Sequence, residues 1–135
     1  MKFNEFYSLT IVHSRDIILV KGVDYMNITK QKSQKTFDKQ AADYDTNIQG
    51  EHARKLYKPI IENLKNKNIH SILDLGCGTG ALLKEIKELN IAEQLFGIDI
   101  SPNMLEIAKN KLGNDATLIL GDSERLPFED SSFDA

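Results

Sequence analysis

A single cysteine among 135 residues leaves no intrachain disulfide to be made, which fits a reducing cytoplasm. Long apolar runs are missing as well. The run Ile17-Ile18-Leu19-Val20 is far shorter than the roughly 7 to 15 residues of a secretory signal core, and no stretch approaches the roughly 20 needed for a membrane span. The three histidines, His13, His52 and His70, have no metal-ligand spacing among themselves or with Cys77, so no metal site is expected. The most basic stretch, Lys30-Gln31-Lys32-Ser33-Gln34-Lys35, lacks interleaved aromatics. It reads as a solvated, partly mobile arm rather than a nucleic-acid surface. What remains is one domain at most, with 41% hydrophobic residues, an ordinary content for a globular chain.

The informative run is Ser71-Ile72-Leu73-Asp74-Leu75-Gly76-Cys77-Gly78-Thr79-Gly80-Ala81. Ile69, Ile72, Leu73 and Leu75 suit a strand buried on both faces at the centre of a parallel sheet. Gly76, Gly78 and Gly80 then permit positive φ, or let a ligand lie against bare backbone. Leu82, Leu83, Ile86 and Leu89 follow at helical spacing. The glycines therefore sit between a strand and a helix N-terminus, where free N–H groups favour an anionic ligand group. A tight turn with no ligand is the alternative, and two further carboxylates weigh against it.

Asp99 closes a second apolar strand, Leu95-Phe96-Gly97-Ile98-Asp99-Ile100, 19 residues after Gly80. That distance places it to accept the ribose hydroxyls of an adenosine. Capping the next helix is its other possible duty, but Ser101 is the better N-cap, with Pro102 in the first helical position. Asp122 follows a third strand, residues 116–121. Asp74, Asp99 and Asp122 are thereby expected along one edge of a parallel sheet, where open α/β folds bind ligands. A dinucleotide fits the looser glycine spacing, with Ala81 in the third place. However, Asp74 would repel a pyrophosphate and welcome a cofactor carrying an ammonium and a sulfonium, which describes S-adenosylmethionine.

On Leu73-Asp74-Leu75-Gly76-Cys77-Gly78-Thr79-Gly80, Gly97-Ile98-Asp99-Ile100-Ser101 and Gly121-Asp122-Ser123-Glu124-Arg125-Leu126-Pro127-Phe128, the chain resembles the class I S-adenosylmethionine-dependent methyltransferases. Leu126-Pro127-Phe128 with Ser132-Phe133-Asp134 is similar to the small-molecule, quinone-biosynthesis-like branch. The resemblance covers residues 37–135 and implies a Rossmann-like, doubly wound parallel sheet. It implies that Asp74 and the backbone of residues 76–80 hold the methionine end of the cofactor, that Asp99 binds the ribose, and that Asp122 accepts from the adenine amine. Ser123 backbone would lie beside that amine, with Ile100 against the ring. Tyr44, in the leading helix Phe37-Asp38-Lys39-Gln40-Ala41-Ala42-Asp43-Tyr44-Asp45, would cover the cofactor, although an amphipathic-helix aromatic also serves as plain core. Cys77 has no neighbouring base to make it a nucleophile and reads as a small residue beside the cofactor.

The family's sheet has seven strands and this chain supplies three, with Phe133-Asp134-Ala135 resembling the first steps of a fourth. Residues 37–135 are thus expected to be the cofactor-binding half of a methyltransferase, truncated after the third strand. That half would carry no catalytic residue of the usual kind, and its strand edge would be open to a partner chain or a second copy. The complete enzyme would act on a small-molecule acceptor. A non-catalytic remnant or interaction module, and half of a dinucleotide-dependent oxidoreductase, remain as alternatives. Residues 1–36 read as a poorly defined extension, with Met26 an alternative start.

Charge follows the same division: residues 1–26, 27–70 and 71–135 carry net 0, +4 and −7, and an acidic sheet half suits a cationic cofactor. Two more helices are expected. Ile48–Leu64, kinked by Pro59, should pack Leu56, Ile60, Ile61 and Leu64 on the sheet. Pro102–Leu112 should bury Met104, Leu105, Ile107 and Ala108 and end at Gly113.

Overall fold

The computed structural model describes residues 18–19 and 28–135; His13, Met26 and most of the apolar run at residues 17–20 lie outside them. In chain order the elements are β1 (Ile18–Leu19), α1 (Ile28–Gln40), α2 (Ile48–Leu64), β2 (Ser71–Leu75), α3 (Ala81–Glu88), β3 (Gln94–Asp99), α4 (Pro102–Leu112) and β4 (Thr117–Leu120). The strands form a parallel sheet in the order β1-β4-β3-β2, a Rossmann-like arrangement with one short strand, β1, beyond the three expected. Register sets Asp74 beside Gly97 and Asp99 beside Leu120. The C-terminal ends of β2 and β3, with the loop after β4, therefore bring the three acids to one end of the sheet. No described helix is long and apolar enough to cross a membrane.

Local sequence explains the helix bounds. Asn47 caps α2 by accepting from Gly50 N at 2.8 Å, and Ser101 caps α4 by accepting from Met104 N at 3.1 Å, with Pro102 next. Gly113 stops α4 at φ 58°. Met104, Leu105 and Ala108 are buried and Ile107 half-buried, so α4 packs through the predicted stripe. Leu83, Ile86, Ile72, Leu95 and Leu118 complete the main core.

Three expectations need correction. Leu75 is 52% exposed, so β2 is not buried on both faces: α3 and α4 cover the side carrying Ile72, while Leu75 alternates to the other. On α2, Ile61 is buried, yet Leu56 is 60% and Ile60 38% exposed. The helix packs against α3 instead of lying broadly on the sheet. Residues 30–35, read as a solvated arm, belong to α1. At the far side of β2, Asp134 N donates to Ser71 O and Leu73 N donates to Ala135 O. The final residues therefore lie along that edge, as their resemblance to a fourth strand implied, and at Ser71 and Leu73 the edge expected to be open is already paired.

Close approach explains Gly97. A Cβ there would stand 2.7 Å from Cys77 Sγ and 3.0 Å from Leu83 Cδ1. Gly97→Ala is expected to destabilise the chain by about 1–2 kcal/mol through overpacking, read as a lower denaturation midpoint. Adding Cys77→Ala, which removes the sulfur, should recover part of the loss.

Candidate functional site

Gly76, Gly78 and Gly80 take φ of 73°, 53° and 72°, all in the left-handed region that favours glycine. Their surroundings differ. Nothing lies within 4 Å of where a Cβ would stand on Gly76 or Gly78, whereas on Gly80 it would meet Leu112 Cδ1 at 2.8 Å and Ala108 Cβ at 3.1 Å. Gly80 thus lets α4 come close, and the other two leave open space beside bare backbone. The N–H groups of Gly76 and Cys77 both donate to Ile98 O, and that of Gly80 to Cys77 O. Gly78 N donates to Asp99 Oδ2 at 2.8 Å. Those four donors are already used, so at these four positions the turn offers shape rather than free N–H groups.

A cavity of about 380 Å³ opens over this turn, within the range of small-ligand sites. Of the residues singled out from the sequence, Tyr44, Gly76, Gly78, Asp99, Ile100, Asp122 and Ser123 line it. Asp74, Cys77 and Gly80 do not. Cys77 is buried beneath Gly97, where burial foremost, then the charges of Asp74 and Asp99, pushes its thiol pKa up; it is no nucleophile. Tyr44 sits in the turn after α1 rather than on that helix, with its ring edge-on to Phe37 at 6.2 Å.

The sequence reading missed the contribution of α1. Lys30, Ser33 and Phe37 also line the cavity, and their i, i+3, i+7 spacing was the available signal for one helical face. Lys30 Nζ lies 2.6 Å from Asp122 Oδ2 and 2.5 Å from Glu124 Oε2. Its hydrogen bond is the foremost cause of the lowered Asp122 pKa.

Electrostatics separate the remaining acids. Asp74 is half-buried, and none of the described residues gives it a hydrogen bond or ion pair. Burial first and the Asp99 charge second push its pKa up to about 6. Asp99 is raised too, by burial, although backbone N–H groups of Ser101, Gly78 and Ile100 oppose the rise. Tyr57 on α2, a second residue missed in the sequence, is pushed up to about 12 by burial and then by Asp74. Two neighbouring carboxylates that lose solvent, with no cation beside either among the described residues, make a local environment suited to positive charge. Among the described residues no group of His, Cys, Asp and Glu side chains is arranged to hold a metal.

The family described as a methyltransferase domain matches residues 72–135, the strand, turn and acids just described. Demethylmenaquinone methyltransferase of Thermotoga maritima is 36% identical over 110 residues, covering 79% of this chain and 48% of that protein. The chain belongs to the class I S-adenosylmethionine-dependent methyltransferases. Malonyl-[acyl-carrier protein] O-methyltransferase of Anoxybacillus flavithermus is 38% identical over 89 residues, covering 64% of this chain and 32% of that one. Among solved structures, the methyltransferase in complex with the Haloferax volcanii Trm112 activator superposes with a TM-score of 0.58 at 29% identity, covering 73% of this chain and 44% of its own. The chain thus spans less than half the length of each of these relatives.

S-adenosylmethionine is the cofactor of this methyltransferase family, and the residues present fit it. Open space beside Gly76 and Gly78 admits a ligand against the backbone. The Asp74 carboxylate, without a partner among the described residues, has a charge compatible with a cationic group and unfavourable to a pyrophosphate.

Proposed function

We propose that the domain binds S-adenosylmethionine across the C-terminal ends of β2 and β3 and the loop after β4, and serves methyl transfer to a small-molecule acceptor. The observation carrying this reading is Asp74: a half-buried carboxylate with no donor among the described residues, two positions before a glycine turn with room beside it. Such a group is costly unless a ligand cation completes it.

In this reading Asp74 and the backbone at Gly76 and Gly78 hold the methionine end. Asp99 accepts the ribose hydroxyls, Ile100 packs on the adenine, and Asp122 with the Ser123 backbone faces its amine. Tyr44 and Phe37 cover the ligand and exclude water. The cofactor, when bound, supplies an electrophilic methyl group on its sulfonium; the chain's own residues orient and shield it. The acceptor class is proposed by analogy with relatives named for demethylmenaquinone and malonyl-[acyl-carrier protein], since fold alone does not choose an acceptor.

Calorimetric titration with S-adenosylhomocysteine, with NAD as control and circular dichroism on the same sample, tests the reading. Saturable binding of the thioether and none of NAD is expected. Binding of NAD alone would transfer the site to a dinucleotide enzyme, and a folded chain that binds neither would leave an interaction module as the better account.

A further inference from the structure

We propose that Asp45, Thr79 and Lys111 form a clamp that holds the α1–α2 turn, and with it Tyr44, down over the cofactor site, Asp45 being the positioning residue. The inference rests on the cofactor reading above for its consequence, though not for its geometry.

Thr79 lies inside the glycine turn, between Gly78 and Gly80, and is 3% exposed. A buried hydroxyl there needs partners, and two other elements provide them. Its Oγ1 donates to Asp45 Oδ1 at 2.5 Å and accepts from Lys111 Nζ at 3.1 Å. Lys111 Nζ closes the triangle on Asp45 Oδ2 at 2.7 Å. The α1–α2 turn, the glycine turn and the last turn of α4 are thereby joined at one point by charge-assisted hydrogen bonds, the stronger kind. Burial pushes the Asp45 carboxyl up, and the Lys111 and Thr79 bonds more than offset this, so its pKa lies below the ordinary value.

Asp45 follows Tyr44 directly, so fixing one places the other. Tyr44 is also gripped through its backbone: Arg54 Nη1 donates to its carbonyl at 3.4 Å, and a Cβ on Gly50 would stand 1.8 Å from that oxygen. Further back, Asp38 on α1 accepts from Ser101 Oγ at 2.5 Å, and its carbonyl accepts from Asn103 Nδ2 at 3.1 Å. Two anchors on α4, one near each end, thus carry α1 and its following turn as a cover. Only the Asp45 anchor touches the glycine turn itself. Tyr44 lines the same cavity as Gly76 and Gly78, so a clamp that holds it in place is expected to slow the departure of a ligand seated there.

Thr79→Val keeps the side chain's shape and removes the hydroxyl, whereas Thr79→Ser keeps the hydroxyl. In the free chain, hydrogen exchange in Thr79→Val is expected to speed up at residues 43–51 while β2, β3 and β4 stay as in the parent, and Thr79→Ser should restore the parent pattern. Lys111→Met, which breaks the triangle without altering the glycine turn, should reproduce the change. For S-adenosylhomocysteine, Thr79→Val should dissociate about tenfold faster, with Thr79→Ser close to the parent.

Unchanged exchange at residues 43–51 in both Thr79→Val and Lys111→Met, or faster exchange spread evenly over the sheet, would overturn the clamp. So would a parent-like dissociation rate in Thr79→Val. If the parent chain binds no S-adenosylhomocysteine while the local exchange change appears, the cofactor reading falls and the clamp stands.

Discussion

Asp74→Asn is expected to make the free chain more stable at neutral pH and to weaken its hold on S-adenosylmethionine. Asp74 has an ordinary pKa of 3.8 when solvated and about 6 in the fold. Between those values the folded chain holds more protons than the unfolded one, so the Asp74 contribution to stability falls as pH rises through that window and is level above it. The full rise corresponds to roughly 3 kcal/mol. An asparagine amide at the same half-buried place carries a desolvation cost of its own, leaving an expected gain of about 1–2 kcal/mol above the folded pKa. Denaturant unfolding at about pH 5 and about pH 7.5 checks this: the variant's advantage should be small at the lower pH and full at the higher.

Binding should move the other way. A cationic ligand favours the ionised form of Asp74, so parent affinity should climb with pH through about 6 and then level off. Binding near that pH should release up to about one proton per site. Asp74→Asn should lose that slope and bind about ten- to a hundredfold more weakly, the size of a hydrogen bond to a charged group. Parallel calorimetry in buffers of different ionisation enthalpy reads the proton directly. A variant no more stable than its parent, together with pH-independent parent binding, would remove Asp74 from the site.

That single residue shows how far the sequence was legible. Asp74, Asp99 and Asp122 were readable as acids at strand ends because parallel strands of similar length put their C-termini together. The bounds of α4 followed from local chemistry, Ser101 and Pro102 before Asn103 and Gly113 after Leu112; those of α2 agree with the expected Ile48–Leu64, and the structure adds the Asn47 cap. Local chemistry says nothing of what lies opposite, however. The spacing of Leu56, Ile60, Ile61 and Leu64 marks a helical face, but whether that face meets a sheet or water depends on elements distant in sequence. Of the first three, only Ile61 is buried. Likewise Lys30 read as solvated charge because its partners, Asp122 and Glu124, lie more than 90 residues on, whereas Lys32 and Lys35 are exposed as expected. Tyr44 was legible as an aromatic near the site and illegible as part of a turn, since the grip on it comes from Gly50 and Arg54 of the next helix.

Asp99→Ala is expected to weaken S-adenosylhomocysteine binding by about 1.5–3 kcal/mol, and the structure shows that two separate losses contribute. In the free chain Asp99 Oδ2 accepts from Gly78 N and Oδ1 accepts from Ser101 N, each at 2.8 Å. The carboxylate therefore ties the glycine turn to the start of α4 before any ribose arrives, and each oxygen retains a lone pair for a hydroxyl. Its removal orphans two backbone donors and frees the turn, so a stability loss of about 1–3 kcal/mol should accompany the binding loss. The two separate by hydrogen exchange in the free variant. Faster exchange confined to the amides of Gly78 and Ser101 reports the structural tie, and affinity lost beyond what that opening explains by mass action reports the ribose contact. Asp99→Ala that binds S-adenosylhomocysteine as tightly as the parent would take the ribose away from this carboxylate. It would then serve as a brace that holds Gly78 at the φ the cavity requires.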